Sequence, residues 1–281
     1  MYSFLSDIGP ICTEIYRNGW AEANAGNITL RLNDAELADR AAFRAVGAWE
    51  TLGVPVPALG GEYFLVTASG CHLRRVEADP VRTCGVVRIS DDGARFRVVW
   101  GLEDSMPTSE FSSHLLAHAV RGRVSGGAER VILHTHPPAL IALGHARELD
   151  TRSLTLLLWS MHQEGVCLFP GGVAYLPFQI SGGSEIAEST CRAFERHGMV
   201  MWEYHGIFAS GTSLDHAFGM VQAAEKAAQI YRDACAMGGV RRALSADAIR
   251  AVADNFGFVP APGILDAPAP RPDDRKLVSE R

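Results

Sequence analysis

The run Val131-Ile132-Leu133-His134-Thr135-His136, closed at once by Pro137-Pro138, constrains this chain more than any other stretch. Three apolar residues in a row read as a buried strand, and two prolines cannot continue its ladder. Side chains alternate across a strand, so His134 and His136 project to the same face. Paired imidazoles suit zinc, and a catalytic zinc takes about three protein ligands and keeps one position open. Two ordinary histidines at a strand end would give the same letters, so the rest of the chain has to decide.

Length and charge narrow the options. At 281 residues, 47% hydrophobic and 21% charged, the chain can fold as one large domain or two small ones around a sizeable core. A net charge of −6 offers no basic surface for nucleic acid, and the pairs Arg74-Arg75 and Arg241-Arg242 stand alone. No stretch approaches the run of about 18 apolar residues that a membrane span needs. The first twenty residues lack a basic segment followed by a long apolar one, so no signal peptide is expected. Six scattered cysteines without a C-x-x-C point to reduced thiols in a cytoplasmic protein, and to no cysteine zinc site.

Strands and helices are interspersed. Helices are expected over residues 4–19, 148–163, 184–197, 214–237 and 244–255, and from Pro107-Thr108-Ser109-Glu110 to about Arg121. Thr108 or Ser109, Ser184 and the Thr212-x-x-Asp215 box supply caps, and Gly19, Gly198 and Gly238-Gly239 supply stops. Strands are expected at 28–32, 62–67 and 131–136, with a hairpin of 85–90 and 94–100 around Asp91-Asp92-Gly93; short apolar runs lie at 166–169 and 173–176, and 199–210 is strand-rich. Residues 33–60 read as a short helix and a loop. From residue 259 to 281 the chain is proline-rich and charged, which reads as a mobile tail after one domain over 1–258. The fold class is α/β, with a central, mainly antiparallel sheet covered by helices.

Several loops could hold an anion. Asn24, Gly26 and Asn27 precede a strand, where they make either a tight turn or a phosphate loop. Ser69 and Gly70 end another strand, with the same two readings. Thr108 and Ser109 stand at a helix start, as caps or as part of an anion site, and Glu110 there suits the helix dipole. His114 and His118 share a helix face without the glutamate of H-E-x-x-H, and read as partly buried helix residues. His205, followed by Gly206 that permits close approach, is the third candidate zinc ligand.

The segments GWAEANAGNITLRL, FLVTASG, WGLEDSMPTSE, VILHTHPPALIAL, FPGGVAYLP and WEYHGIFASGTSLDHAFGMVQAAEKAAQ together carry a resemblance. In their order and spacing the chain resembles the class II, zinc-dependent sugar-phosphate aldolases over residues 17–255. Long insertions before FLVTASG and PTSE favour the branch that acts on rhamnulose phosphate over the fuculose and ribulose phosphate enzymes. The resemblance implies αβα layers, one Zn2+ per subunit on His134, His136 and His205, and Glu110 as the catalytic acid/base. It also implies phosphate and substrate contacts from Asn24, Gly26, Asn27, Ser69, Gly70, Thr108 and Ser109. Glu164 would reach a neighbouring subunit's site in a homotetramer. The implied reaction is retro-aldol cleavage of a ketose 1-phosphate to dihydroxyacetone phosphate and an aldehyde. Ala25, Cys71-His72 and Gly165-Val166-Cys167 depart from the family's usual residues.

Overall fold

The computed structural model describes residues 2–266. In chain order its regular elements are α1 (Ile8–Arg17), β1 (Asn27–Arg31), β2 (Val46–Thr51), β3 (Tyr63–Thr67), α2 (Pro80–Thr83), β4 (Cys84–Ile89), β5 (Arg95–Gly101) and α3 (Phe111–Val124). There follow β6 (Val131–Thr135), α4 (Pro138–Ala146), α5 (Thr151–Met161), α6 (Glu164–Leu168), β7 (Val173–Leu176), α7 (Ser184–Phe194), β8 (Met199–Trp202), β9 (Gly206–Gly211), α8 (Leu214–Ala236) and α9 (Ala246–Phe256). Among the described residues nine strands form one sheet in the order β2-β5-β4-β3-β1-β6-β9-β8-β7, antiparallel throughout except for the β7–β8 pair.

Helices cover both faces, as the αβα expectation requires. Alternation along each strand divides the apolar side chains between the two sides. Ile28, Leu30, Val131, Leu133 and Ala209 pack with α1, α4, α5 and α8 in one core. Ile132, Val200 and Phe208 face the other way, against α3 and α7, while Phe64, Val66, Val87 and Phe96 meet Phe111 and Leu115 of α3. Burial of this kind is worth about 25 cal/mol per Å² of apolar surface, so the sheet's two faces carry the stability of the domain. Among the described residues no helix is long and apolar enough to cross a membrane.

Some expectations fail for physical reasons. Residues 33–60 form a 3-10 turn (Glu36–Ala42) and then the edge strand β2, which bonds to β5 through a bulge. An exposed edge strand buries no face, so VGAWET carries no apolar alternation to betray it. The short apolar run 166–169, whose length fits either period, is helical through Leu168 in α6. Pro137-Pro138 ends β6 but opens α4, where Pro138 at the first helical position loses no hydrogen bond. Residues 4–19 divide into a 3-10 turn (Ser3–Leu5) and α1. The caps shift as well. Ser213 caps α8 by accepting from His216 N at 3.1 Å, Gly183 precedes α7 without a side-chain cap, and Glu110 itself is the N-cap of α3.

The expected tail lies outside the described residues from 267 onward. Before that point Ile264 and Leu265 are buried against the core, and Ala261 N donates to Pro170 O.

His114 and His118 are fully buried, not partly so, and both bond to Thr29 Oγ1, at 2.9 and 2.8 Å. Burial holds both rings neutral: His114 falls to about 4, with Glu110 pulling it partly back, and His118 falls well below its ordinary value. The unfolded chain binds these protons below about pH 6.5, so stability is full above that pH and is lost as the pH drops toward the folded values. Urea unfolding of the metal-free protein should show wild type losing about 1.5 kcal/mol more than His114→Gln between pH 6.5 and 5, the slope rising toward about 1.4 kcal/mol per pH unit. Equal losses in the two proteins would assign the acid sensitivity elsewhere.

Candidate active site

Register builds the site. In β1, β6 and β9 the residues Asn27, His134 and Phe208 lie directly opposite one another, so all three project toward the α3 face. His136 follows two residues later on the same side. The β8–β9 turn brings His205 over them, with Tyr204 held at a positive φ of 61°. His134 Nε2 is 3.2 Å from His136 Nε2 and 3.3 Å from His205 Nε2. Gly206 makes this approach possible: a Cβ there would sit 2.5 Å from Thr135 O and 2.7 Å from His136 Cδ2.

The outward nitrogens fix which nitrogens are free. His134 Nδ1 donates to Ile207 O at 3.1 Å, and His136 Nδ1 to Glu22 Oε1 at 2.7 Å. Each leaves its Nε2 lone pair facing the centre. Burial lowers the pKa of His134 and His205, and the neighbouring imidazoles lower both further, which favours the unprotonated form of these two rings that a metal requires. The Glu22 carboxyl, which burial alone would raise, is held below its ordinary value by its bond to His136. These three histidines could hold a metal. Nitrogens about 2.0–2.1 Å from one tetrahedral ion lie about 3.3–3.4 Å apart, close to the 3.2 and 3.3 Å that separate His134 from its two neighbours.

Beside the triad is a polar cavity of about 240 Å³ lined by Asn24, Gly26, Asn27, Ser69, Gly70, Thr108, Ser109, Glu110, His134, His136 and His205. The chain thus brings together every candidate residue named from the sequence except Glu164. Ser69 N bonds to Met106 O and Thr108 N to Thr67 O, which ties the two hydroxyl-bearing loops to each other. Gly26, at φ 81°, passes so close to His134 O that a Cβ would stand 3.3 Å from it. Asn27 Nδ2 donates to Glu110 Oε2 at 2.8 Å and orients that carboxylate. Asn27 Oδ1 is buried without a partner, an acceptor that a substrate hydroxyl could satisfy.

Glu164 lies elsewhere. It is exposed at the start of α6 and lines a separate cleft with His162 and Lys226. Within one chain it does not meet the triad. Sequence reasoning missed Glu22, whose contact with His136 spans 114 positions. The only available signal was its place beside Asn24.

Comparison with known proteins agrees with this geometry. The model of the class II aldolase and adducin N-terminal domain family matches residues 6–232. A rhamnulose-1-phosphate aldolase of Escherichia coli O139:H28 is 39% identical over 255 residues, covering 90% of this chain and 93% of that protein. The one from Klebsiella pneumoniae is 38% identical over 256 residues, with the same coverage. Among solved structures, a sugar-phosphate aldolase from Thermotoga maritima has a TM-score of 0.72 at 27% identity, covering 84% of this chain and 96% of that one. An L-fuculose 1-phosphate aldolase has a TM-score of 0.58 at 20% identity, covering 90% and 96%, and shares the fold.

Carboxylate partners of ligand histidines set ring orientation and basicity, and losing one costs about 10–100-fold in metal affinity. Glu22→Gln should weaken metal binding within that range, measured by competition with a chromophoric chelator. The melting temperature of the metal-free protein should hardly move, because Glu22 is exposed. Unchanged affinity would make Glu22 a surface residue only.

Proposed function

The chain belongs to the class II aldolase and adducin N-terminal domain family, and from that premise we propose that it cleaves L-rhamnulose 1-phosphate reversibly to dihydroxyacetone phosphate and L-lactaldehyde. One observation carries the reading. Three convergent imidazoles, one oriented carboxylate and two hydroxyl- and amide-bearing loops line a single small cavity. The relatives at 39% and 38% identity, which span nearly the whole chain, support rhamnulose 1-phosphate as the sugar.

The metal in this reading is zinc, one per subunit, held by His134, His136 and His205. It would supply Lewis acidity to the ketose carbonyl, whose oxygen gains charge as the C3–C4 bond breaks. The chain's own residues do the rest. Glu110, oriented by Asn27, exchanges a proton at carbon 3 of the dihydroxyacetone phosphate fragment. Asn24, Gly26, Asn27, Ser69, Gly70, Thr108 and Ser109 receive the phosphate and the substrate hydroxyls. Binding energy from the phosphate, remote from the breaking bond, then fixes the reacting carbons in register.

The protein in this reading is a cytoplasmic homotetramer with its active sites at subunit interfaces. Its catalytic domain is 1–258, and the segment after it has no assigned part in the reaction. Glu164, exposed and outside its own chain's cavity, enters the neighbouring site and gives a proton to the aldehyde oxygen as the bond breaks.

Incubating the protein with rhamnulose, fuculose and ribulose 1-phosphates should release dihydroxyacetone phosphate fastest from the first. Release from another ketose alone would move the assignment within the family, and interconversion of epimers without release would make the protein an epimerase. Glu110→Gln keeps size and polarity but cannot take a proton. Turnover should fall about a hundredfold or more with zinc content and melting temperature retained. Full activity in that variant would return Glu110 to a structural role.

Subunit mixing tests the shared site. Glu164→Ala and Glu110→Gln should each be weak alone. Reassembled together in a head-to-tail ring, they should form about a quarter of their sites with both wild-type glutamates. Activity should then rise well above either parent. Mixed tetramers that stay at the parental average would remove Glu164 from the mechanism.

A further inference from the structure

A second cleft lies at the other end of β3 from the catalytic cavity. On the sheet face away from α3, β4 and β5 carry Arg88, Arg95 and Arg97, and β2 adds Trp49. The guanidinium carbon of Arg97 is 4.6 Å from the centre of the Trp49 ring, and those of Arg88 and Arg95 are 5.8 Å from it. Next to this stack is a cavity of about 370 Å³, walled by Arg40, Phe43, Tyr63, Arg88, Arg97 and Val99. The Phe43 and Tyr63 rings lie 5.8 Å apart and tilted by 33°.

The charges here are only partly compensated. Arg88 pairs with Asp91 at 2.5 Å, and Arg95 lies within electrostatic reach of Asp92, so the uncompensated charge is that of Arg40 and Arg97. Among the described residues Arg40 and Arg97 have no acidic partner, and Arg97 Nε is buried without any hydrogen bond. A buried, unpartnered charged donor is costly, and like charges gathered around one indole add to that cost. In a chain of net charge −6 such a concentration of cations makes a local positive field. Arg97 lies closest to Trp49, and its guanidinium is the kind of group whose N–H edge binds oxyanions in a two-pronged fashion.

We propose that this cleft binds a small, multiply charged oxyanion, either free phosphate or a phosphorylated metabolite, at a site distinct from the catalytic cavity. Arg97 is its central donor, with Arg88 and Arg40 on its flanks and the aromatic wall against any organic part. The five residues of β3, at about 3.3 Å each, separate Tyr63 in this cleft from Thr67 beneath the catalytic loops. The two sites therefore hold separate ligands.

Equilibrium dialysis of the metal-loaded protein against labelled inorganic phosphate, at ionic strength fixed with chloride, tests this. Because the catalytic loops can also take phosphate, the readout is a difference. Wild type should hold one equivalent more than Arg97→Gln, and Arg40→Gln should weaken that extra equivalent by about tenfold or more, the loss expected for a charge-assisted contact. If a phosphorylated metabolite is the natural occupant, a phosphorylated triose or pentose should displace the extra equivalent at lower concentration than phosphate itself. Equal stoichiometry in wild type and variants overturns the proposal, as does binding that chloride removes equally from all three. Should Arg97→Gln fail to fold, Arg40→Gln decides alone, since its side chain is exposed and an unchanged isotherm would be decisive.

Discussion

The pairing of β6 with β1 on one side and β9 on the other is the constraint on which the rest of this structure depends. Because side chains alternate with a period of two, that register places Asn27, His134 and Phe208 in one row and Thr29, Ile132 and Ser210 in the next. A slip of one residue would turn His134 and His136 into the opposite core and put Leu133 in the cavity. The same rows receive α3. Thr29 takes His114 and His118 from that helix, and the Phe208 ring stacks on His134 at 4.1 Å. Core packing and ligand geometry are therefore one arrangement, and a change that loosens either disturbs both.

Around that row the chain is pinned by contacts from distant segments. Trp20 O accepts from His136 N and from Thr135 Oγ1, which holds the end of β6 against the loop that carries Glu22 and Asn24. Just beyond, the prolines leave α4 with few donors to cap. The buried carboxylate of Glu225, on α8, takes two of them, Ala139 N at 3.0 Å and Leu140 N at 2.9 Å. Burial raises the pKa of Glu225, while those two amides and the positive end of α4 favour its charged form. The chain thus leaves His136 in a fixed direction, although neither proline can donate.

The cavity that results is small and polar, with its apolar surroundings kept behind the imidazoles. Imidazole nitrogens converge and a carboxylate is aimed by an amide. Such a lining suits a compact, oxygen-rich molecule. The uncovered outer part of the sheet is chemically different, with arginines where the inner part has helices. Two ends of one strand thereby serve two kinds of surface.

Local order along the chain determines much of this. The buried strand with its paired histidines, the Asp91-Asp92-Gly93 hairpin, the long final core helices and the glycine after His205 all follow from periods and residue types within a few positions. Glu110 and the asparagine and serine loops were legible as anion-binding or capping chemistry, and their joint meaning came from order and spacing along the chain. What the sequence left open was whatever depends on a distant partner. β2 is a strand only because β5 offers it hydrogen bonds, and α6 is a helix because Gly165 and Val166 are buried beside Trp159 and Phe169. Glu22 meets His136 across 114 positions and Asn27 meets Glu110 across 83, and neither pair has a local signature. Tertiary structure decided these because a hydrogen bond selects among residues that folding has already brought within about 3 Å of each other, a condition that spacing along the chain does not encode.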